Sequence, residues 1–236
     1  LTDLDRGVDR LERAIRERDK IVVFGDYDVD GVTSTALLLD YLARVDASFD
    51  YVLPDRHQDG YGLKPAGVRR ALEKGARLIV TVDNGISAFE AIDEATKTGV
   101  DVIVVDHHQQ LDALPAAHSV INPNRVDCPY PFKGLAGVGV TFKLVQALSA
   151  RIEPDGDRRQ YLNGLLDLVA LGTVADVMPV LGENRALIQR GFKILENTRR
   201  PGLRHLRDSA GCGAGPITAT AIGFYLGPRI NVAGRL

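Results

Sequence analysis

The chain has 236 residues, 45% of them hydrophobic and 25% charged, which is enough for one sizeable core and a small appendage. Its 29 Lys and Arg against 31 Asp and Glu leave a net charge of −2, so the overall balance does not advertise a nucleic-acid binder, although a basic patch or a metal site can supply positive charge locally. No apolar run approaches the ~20 residues that span a bilayer. The two isolated cysteines, Cys128 and Cys212, form no CxxC pair, so they exclude a thiolate metal site or disulfide framework and point to a reducing cytoplasm.

The first element is an amphipathic helix, with Leu4, Val8, Leu11 and Ile15 at helical spacing. Ile21 to Phe24 is a short apolar strand, succeeded by a Gly- and Asp-rich turn at 25–31 and a helix over roughly 33–44. Further strands are expected at Phe49 to Leu53, Leu78 to Val82, Val100 to Val105 and Ser119 to Ile121, with helices near 64–74 and 87–98 between them. Apolar strands alternating with helices imply an α/β domain: a mainly parallel five-stranded sheet with helices on both faces. From about 138 the pattern turns helical, over about 138–150, 159–171, 183–197 and 216–226.

In an open parallel sheet, ligands sit beyond the carboxyl ends of the strands. Immediately after the five expected strands stand, in order, Asp26, Asp28 and Asp30; Arg56 and His57; Asp83 and Asn84; Asp106, His107 and His108; Asn122 and Asn124. Nearly every strand thus delivers a polar or charged side chain to one edge. Asp26, Asp28, Asp30, Asp83, Asp106 and the later Asp176 would gather six carboxylates, a repulsion that either raises their pKa values or demands counter-ions. Two divalent cations would relieve it, and carboxylate oxygens mixed with the imidazoles of His107 and His108 suit Mn²⁺ or Mg²⁺ better than structural zinc. Such a pair of ions can clamp a phosphate and acidify a water.

Two other patterns share pieces of this sequence. An EF-hand loop counted from Asp26 needs a bidentate Glu at its twelfth position, where Leu37 stands. The turn of haloacid-dehalogenase-type phosphatases places its Asp directly after the strand and a Thr after the Gly; here Gly25-Asp26-Tyr27 intervenes and Val32 succeeds Gly31. Taken singly, Asp83-Asn84-Gly85 reads as a common turn and Asp176 as a helix cap or salt-bridge partner.

Taken together, Gly25 to Gly31, Val82 to Gly85, Asp106-His107-His108 and Gly172 to Asp176 resemble, in order, the four motifs of the DHH phosphoesterase family. By that resemblance Asp28, Asp30, Asp83, His107 and Asp176 are metal ligands, with Asp83 between the ions. His108 faces the substrate phosphate, and Asp26 and Asp106 are close support. Asp83, Asp106, His107 and His108 form the implied catalytic set. Some family members carry a His four residues before the second aspartate of the first motif; Phe24 stands there, so one nitrogen ligand is absent.

Pro54 to His57, Gly60 to Leu63, Asn122-Pro123-Asn124, Leu135 to Gly139 and Gly227 to Arg235 are most similar to the RecJ-type branch, which degrades single-stranded DNA from the 5′ end in repair and recombination. The resemblance implies DNA-phosphate contacts from Arg56, Arg229 and Asn231. It implies a monomer that acts on single-stranded DNA, with a helicase or a single-strand-binding protein as further candidate partners. It places the DHH catalytic domain at 1–200 and, at 201–236, the start of a connector toward a second domain (the DHHA1 domain) of a longer protein. The rival readings are a phosphoesterase for oligoribonucleotides, cyclic dinucleotides or pyrophosphate, and a non-catalytic binding module. The first is disfavoured by the RecJ-like segments and the second by the intact motif carboxylates.

Overall fold

The computed structural model describes residues 1–55, 60, 62–153, 155–213 and 215–233. Five strands, β1 (Ile21–Phe24), β2 (Phe49–Val52), β3 (Leu78–Val82), β4 (Asp101–Val105) and β5 (Ser119–Ile121), form one sheet in the order β2-β1-β3-β4-β5. Every pairing is parallel. From β1 the chain crosses to β2 on one side and then returns to β3 on the other. The carboxyl ends of β1 and β3 therefore flank the point where the winding reverses, the position at which a crevice opens in such sheets.

The period-2 alternation of the strands divides the core. Ile21, Val23, Leu78, Val80, Val82, Ile103, Val105 and Ile121 face α1 (Leu4–Glu17), α2 (Val29–Arg44), α5 (Gly137–Ile152) and α7 (Leu166–Ala175). Val22, Phe24, Ile79, Val102, Val104 and Val120 face α3 (Pro65–Glu73) and α4 (Phe89–Lys97). With both faces covered, the central strands need no polar side and read as largely apolar runs, whereas the edge strand β2 carries Asp50 and an exposed Tyr51.

Between α5 and α7 lies α6 (Asp155–Gly164), and the chain ends in α8 (Gly182–Glu196), α9 (Pro201–Ser209), α10 (Ala219–Ala221), a π-helical turn (Ile222–Leu226) and α11 (Gly227–Ala233). The last three run end to end. The Gly227 N–H reaches back to the Ile222 carbonyl, and the adjacent Pro228 has no N–H to offer, so the wider turn absorbs the mismatch. Residues 201–233 do not stand apart from the body: Ala210, Ile217, Ile222 and Leu226 bury against Val29 at the start of α2 and Leu171 in α7. The structure also corrects several sequence expectations. Helix α2 begins at Val29, inside the segment expected to be a turn. The single helix expected at 159–171 is two helices, the one expected at 216–226 starts later and extends to Ala233, and α9 has no counterpart among the expected elements.

Candidate metal centre

The first motif is shaped by a helix cap. Asp28 has extended backbone geometry and its carboxylate accepts from the Gly31 N–H at 2.9 Å, so α2 starts one residue later. That start carries Asp30 into the interior, where its oxygens accept from the N–H groups of Gly137 (2.7 Å) and Val138 (2.9 Å) at the first turn of α5. Asp26 is buried beneath. One of its oxygens accepts from Tyr27 N at 2.6 Å, and Oδ2 has no hydrogen-bond partner among the described residues. A Cβ on Gly31 would lie 2.5 Å from Asp26 Cβ, so only glycine lets α2 begin so close to Asp26.

Asp83 succeeds β3 in the left-handed region (φ +63°), an uncommon and strained conformation for a residue with a side chain. The turn behind it is tied down by Thr81 Oγ1 donating to the Asn84 carbonyl, and by Asn84 Nδ2 donating to the carbonyls of Val82 and Phe24. Asp106 is buried after β4 and gathers the Ile86, His107 and His108 N–H groups, while its Oδ1 sits 2.7 Å from His108 Nδ1. Asn122 and Asn124, beyond β5, donate to the backbone carbonyls of His108 and His107. Asp176 is the C-cap residue of α7. A carboxylate there meets the negative end of the helix dipole, the wrong end for a stabilising acid, so its position needs another reason.

These elements converge. His107 Nε2 lies 3.1 Å from Asp83 Oδ1, 3.6 Å from Asp176 Oδ2 and 3.8 Å from Asp30 Oδ2. Asp83, His107 and His108, and likewise Asp30, His107 and Asp176, each offer ligand atoms within 4.8 Å of one another. These short distances are not salt bridges, because burial, with help from neighbouring His108, pushes His107 down to about 4 and keeps the ring neutral. The ring is hydrogen-bonded to the backbone of Leu135, and Nε2 itself makes no hydrogen bond among the described residues. A nitrogen lone pair thus faces carboxyl oxygens without a hydrogen bond to any of them. That arrangement fits a divalent cation as the missing positive charge, with a mixed oxygen and nitrogen donor set suited to Mn²⁺ or Mg²⁺.

The carboxyls give the same answer. Burial, then repulsion from Asp176, raises Asp30 to about 8, and burial and repulsion from Asp30 push Asp83 well above the usual range. Asp26 and Asp176 are each raised to about 6, mainly by burial. Asp106 is the exception: burial opposes its charge, but the bond to His108 and the surrounding N–H groups outweigh that and hold its carboxyl low. The same contact raises His108.

Between pH 6.5 and 8 the folded chain, with Asp30 raised to about 8, still holds a carboxyl proton that the unfolded chain has released, and Asp83 and His108 are shifted in the same direction. Their folded pKa values lie above the unfolded ones, so stability should fall as pH rises through this window. His107 works the other way near pH 6.5, where the unfolded ring is still half protonated and the folded ring neutral, but this opposing contribution is smaller and is spent by pH 8. Thermal unfolding in EDTA should show a lower midpoint at pH 8 than at pH 6.5, and added Mn²⁺ should flatten or invert that slope. The same slope with and without metal would mean that these carboxyls do not meet the ion.

The model of the DHH family's N-terminal domain matches residues 20–173. The chain belongs to the DHH family. Within it, the single-stranded-DNA-specific exonuclease RecJ of Escherichia coli is 47% identical over the whole chain, and that of Bacillus subtilis 41% over 99% of it. The chain spans 42% and 28% of these two relatives' lengths. A crystal structure of exonuclease RecJ bound to manganese superposes with a TM-score of 0.88 at 36% identity, over all of this chain and 58% of that one. RecJ from Thermus thermophilus in complex with Mn²⁺ gives 0.84 at 34% identity, over all of this chain and 33% of that one. The DHH fold expected from the motifs is thereby established.

Of the residues singled out in the sequence, the structure brings Asp30, Asp83, His107, His108 and Asp176 together, with Asp28 at their edge and Asp26 and Asp106 beneath. Asn231 on α11 docks nearby, its Oδ1 accepting from Val29 N. Arg229 is turned to the carbonyls of Tyr225 and Ser209. Arg56 and His57 lie outside the described residues, as does Arg235. Sequence reasoning missed the backbone groups that hold the site: Gly137 and Val138 on Asp30, and Leu135 on His107. The Leu135 to Gly139 segment carries a glycine-rich signal, but a backbone donor leaves no side-chain mark in a sequence.

Proposed function

We propose that this chain is the metal-binding, phosphodiester-hydrolysing domain of a RecJ-like 5′→3′ single-stranded DNA exonuclease serving repair and recombination. The observation that carries it is His107 Nε2 facing three carboxyl groups without a hydrogen bond, at the crevice where the winding of the sheet reverses.

In this reading Asp28, Asp30, Asp83, His107 and Asp176 hold two divalent cations, Mn²⁺ or Mg²⁺. When bound, these supply positive charge for the phosphate and acidify a water. Asp106 pins His108 by Nδ1 and leaves the other edge of a 44% exposed ring to meet the substrate phosphate. Asp26 and Asp106 support the ligands from below. Asn231, beside the start of α2, and Arg229, whose fork keeps donors beyond the two it uses, serve the strand's phosphates. Arg56 is assigned the same role on its motif alone.

The substrate is single-stranded DNA, supported by the RecJ relatives, with a helicase or a single-strand-binding protein as candidate partners. Cys128 and Cys212 are both free thiols, as suits a monomer in the reducing cytoplasm, and no described helix is long and apolar enough to cross a membrane. Residues 1–200 form the catalytic domain and 201–236 open the connector to the rest of a longer protein, although 201–233 already pack on α2 and α7.

Turnover of 5′-phosphorylated single-stranded DNA, dinucleotides and pyrophosphate, measured side by side with Mn²⁺, tests the substrate. DNA should be cut and pyrophosphate left. Preference for dinucleotides or pyrophosphate would move the chain to the small-substrate reading, and no turnover of any would favour a binding module.

The glycine at 137 offers a sharper structural test. A Cβ there would lie 2.5 Å from Asp83 Oδ1 and 2.7 Å from its Cβ, so Gly137→Ala must displace Asp83. A shift on the order of an ångström at a reacting centre costs roughly 10²-fold in rate. Single-turnover cleavage should fall by about that factor with the fold intact by circular dichroism; an unchanged rate would show that Asp83 has no fixed role.

A further inference from the structure

A cavity lies away from the metal centre. It measures about 910 Å³ and opens between the carboxyl end of α2, α6, the amino end of α7 and the segment after α8. Helices α2 and α7 each run from one site to the other. Asp30 and Asp176 stand at the metal centre, while Asp40 and Asp167 line the cavity, about 15 Å along each helix. The catalytic reading makes no use of this space.

Its back wall is built rather than incidental. Asp167 is 1% exposed, accepts from Thr198 Oγ1 at 2.8 Å, and meets Arg200 Nε at 3.3 Å. Arg200 Nη1 reaches Asp40 at 2.5 Å, and Tyr161 OH donates to the same side chain at 3.2 Å. The Arg44 guanidinium lies 4.4 Å above the Tyr161 ring, its Nε held by Glu153 at 2.7 Å. The result is a cation-aromatic pair, held in place by Glu153 and Asp40, of the kind on which a nucleobase stacks.

The mouth carries the charges left over. Lys193 and Arg199 are exposed and form no ion pair among the described residues; exposed Asp157 is likewise unpaired. Two free cations against one acid suit a single phosphate better than a polyphosphate. The volume is within the range of small-ligand pockets.

We propose that this cavity is a second ligand site that takes a nucleoside 5′-monophosphate, with the base on the Arg44–Tyr161 surface and the phosphate at Lys193 and Arg199. Such a molecule is what an exonuclease releases, so a product-sensing role rests on the function proposed above; the binding itself does not.

The test is calorimetric titration of the chain in EDTA, which removes divalent ions from the metal centre, with dAMP, deoxyadenosine and inorganic phosphate. The nucleotide should bind saturably, and the nucleoside and phosphate each at least ~10-fold more weakly, because each keeps half of the contacts. The exposed pair Lys193→Glu and Arg199→Glu should weaken dAMP by at least ~10-fold without changing Mn²⁺ affinity, and Asp157→Asn should tighten it. Arg44→Ala should weaken dAMP and leave phosphate unchanged. No binding in EDTA, equal binding of phosphate and dAMP, or indifference to the charge-reversed pair would overturn the assignment. Failure of DNA turnover in Mn²⁺ would overturn the catalytic reading alone.

Discussion

Replacement of Asp83 by Asn is expected to lower DNA hydrolysis by at least ~10³-fold while leaving the fold intact. Asn is chosen because the backbone at this position is left-handed (φ +63°), a region Asn tolerates well, so the variant removes charge without adding strain. Asp83 lies 3.1 Å from His107 Nε2, and in the function proposed above it would be shared by two ions, so its loss would weaken both. A residue that held only one ion, or none, would not have this reach. The uncharged amide also replaces a carboxyl whose ionisation is opposed by burial and then by Asp30, Asp28, Asp106 and Asp176, so the metal-free variant should unfold at a higher temperature than the parent at pH 8. Greater metal-free stability together with lost turnover is hard to obtain from a merely structural residue. Retention of more than about a tenth of the parent rate, well above the loss expected for a metal ligand, would remove Asp83 from the catalytic set.

The second large effect concerns length. The chain spans 42% of the Escherichia coli relative, and we expect it to be a much poorer exonuclease on long DNA than a protein of the relatives' full length. Strand affinity comes from several phosphate contacts acting together, each releasing counter-ions. At a net charge of −2, with Arg56, Arg229 and Asn231 as candidate contacts, this chain has few. Its fold should not suffer, because both faces of the sheet are covered and Ala210, Ile217, Ile222 and Leu226 already pack on the body, although Phe224, Tyr225 and Val232 stay exposed. The comparison is of both proteins on long and very short 5′-phosphorylated DNA at physiological salt. The shorter chain should lose far more on the long substrate, where the strand must stay bound between cuts. Equal rates on long DNA would show that residues 1–236 suffice to hold it.

The sequence discloses the functional edge better than it discloses the helices. Apolar runs ending just before Asp26, Asp83 and Asp106 locate the strand ends because a sheet covered on both faces leaves few polar residues inside the central strands, Thr81 in β3 being one. The order β2-β1-β3-β4-β5 is not legible, since neighbouring runs carry no mark of which strand they pair with. Helix α2 is expected too late because Gly25 to Gly31 looks like a loop; its first turn is made by the Asp28 cap, a tertiary choice that also buries Asp30. The start of α9 has a signal in Pro201 at its first position, and the break at Leu165 between α6 and α7 has none as strong. Asp176 reads alone as a cap or ion-pair partner; only its meeting with His107 and Asp30 shows why a carboxylate sits at the unfavourable end of α7.

Anomalous scattering at the manganese edge, from a crystal of this chain soaked in Mn²⁺, tests the central claim most directly. The account predicts two peaks among Asp28, Asp30, Asp83, His107 and Asp176, with none in the cavity lined by Arg44 and Tyr161. A single peak would leave a one-ion site, and no peak within reach of His107 Nε2 would contradict the assignment of this cluster as the metal centre.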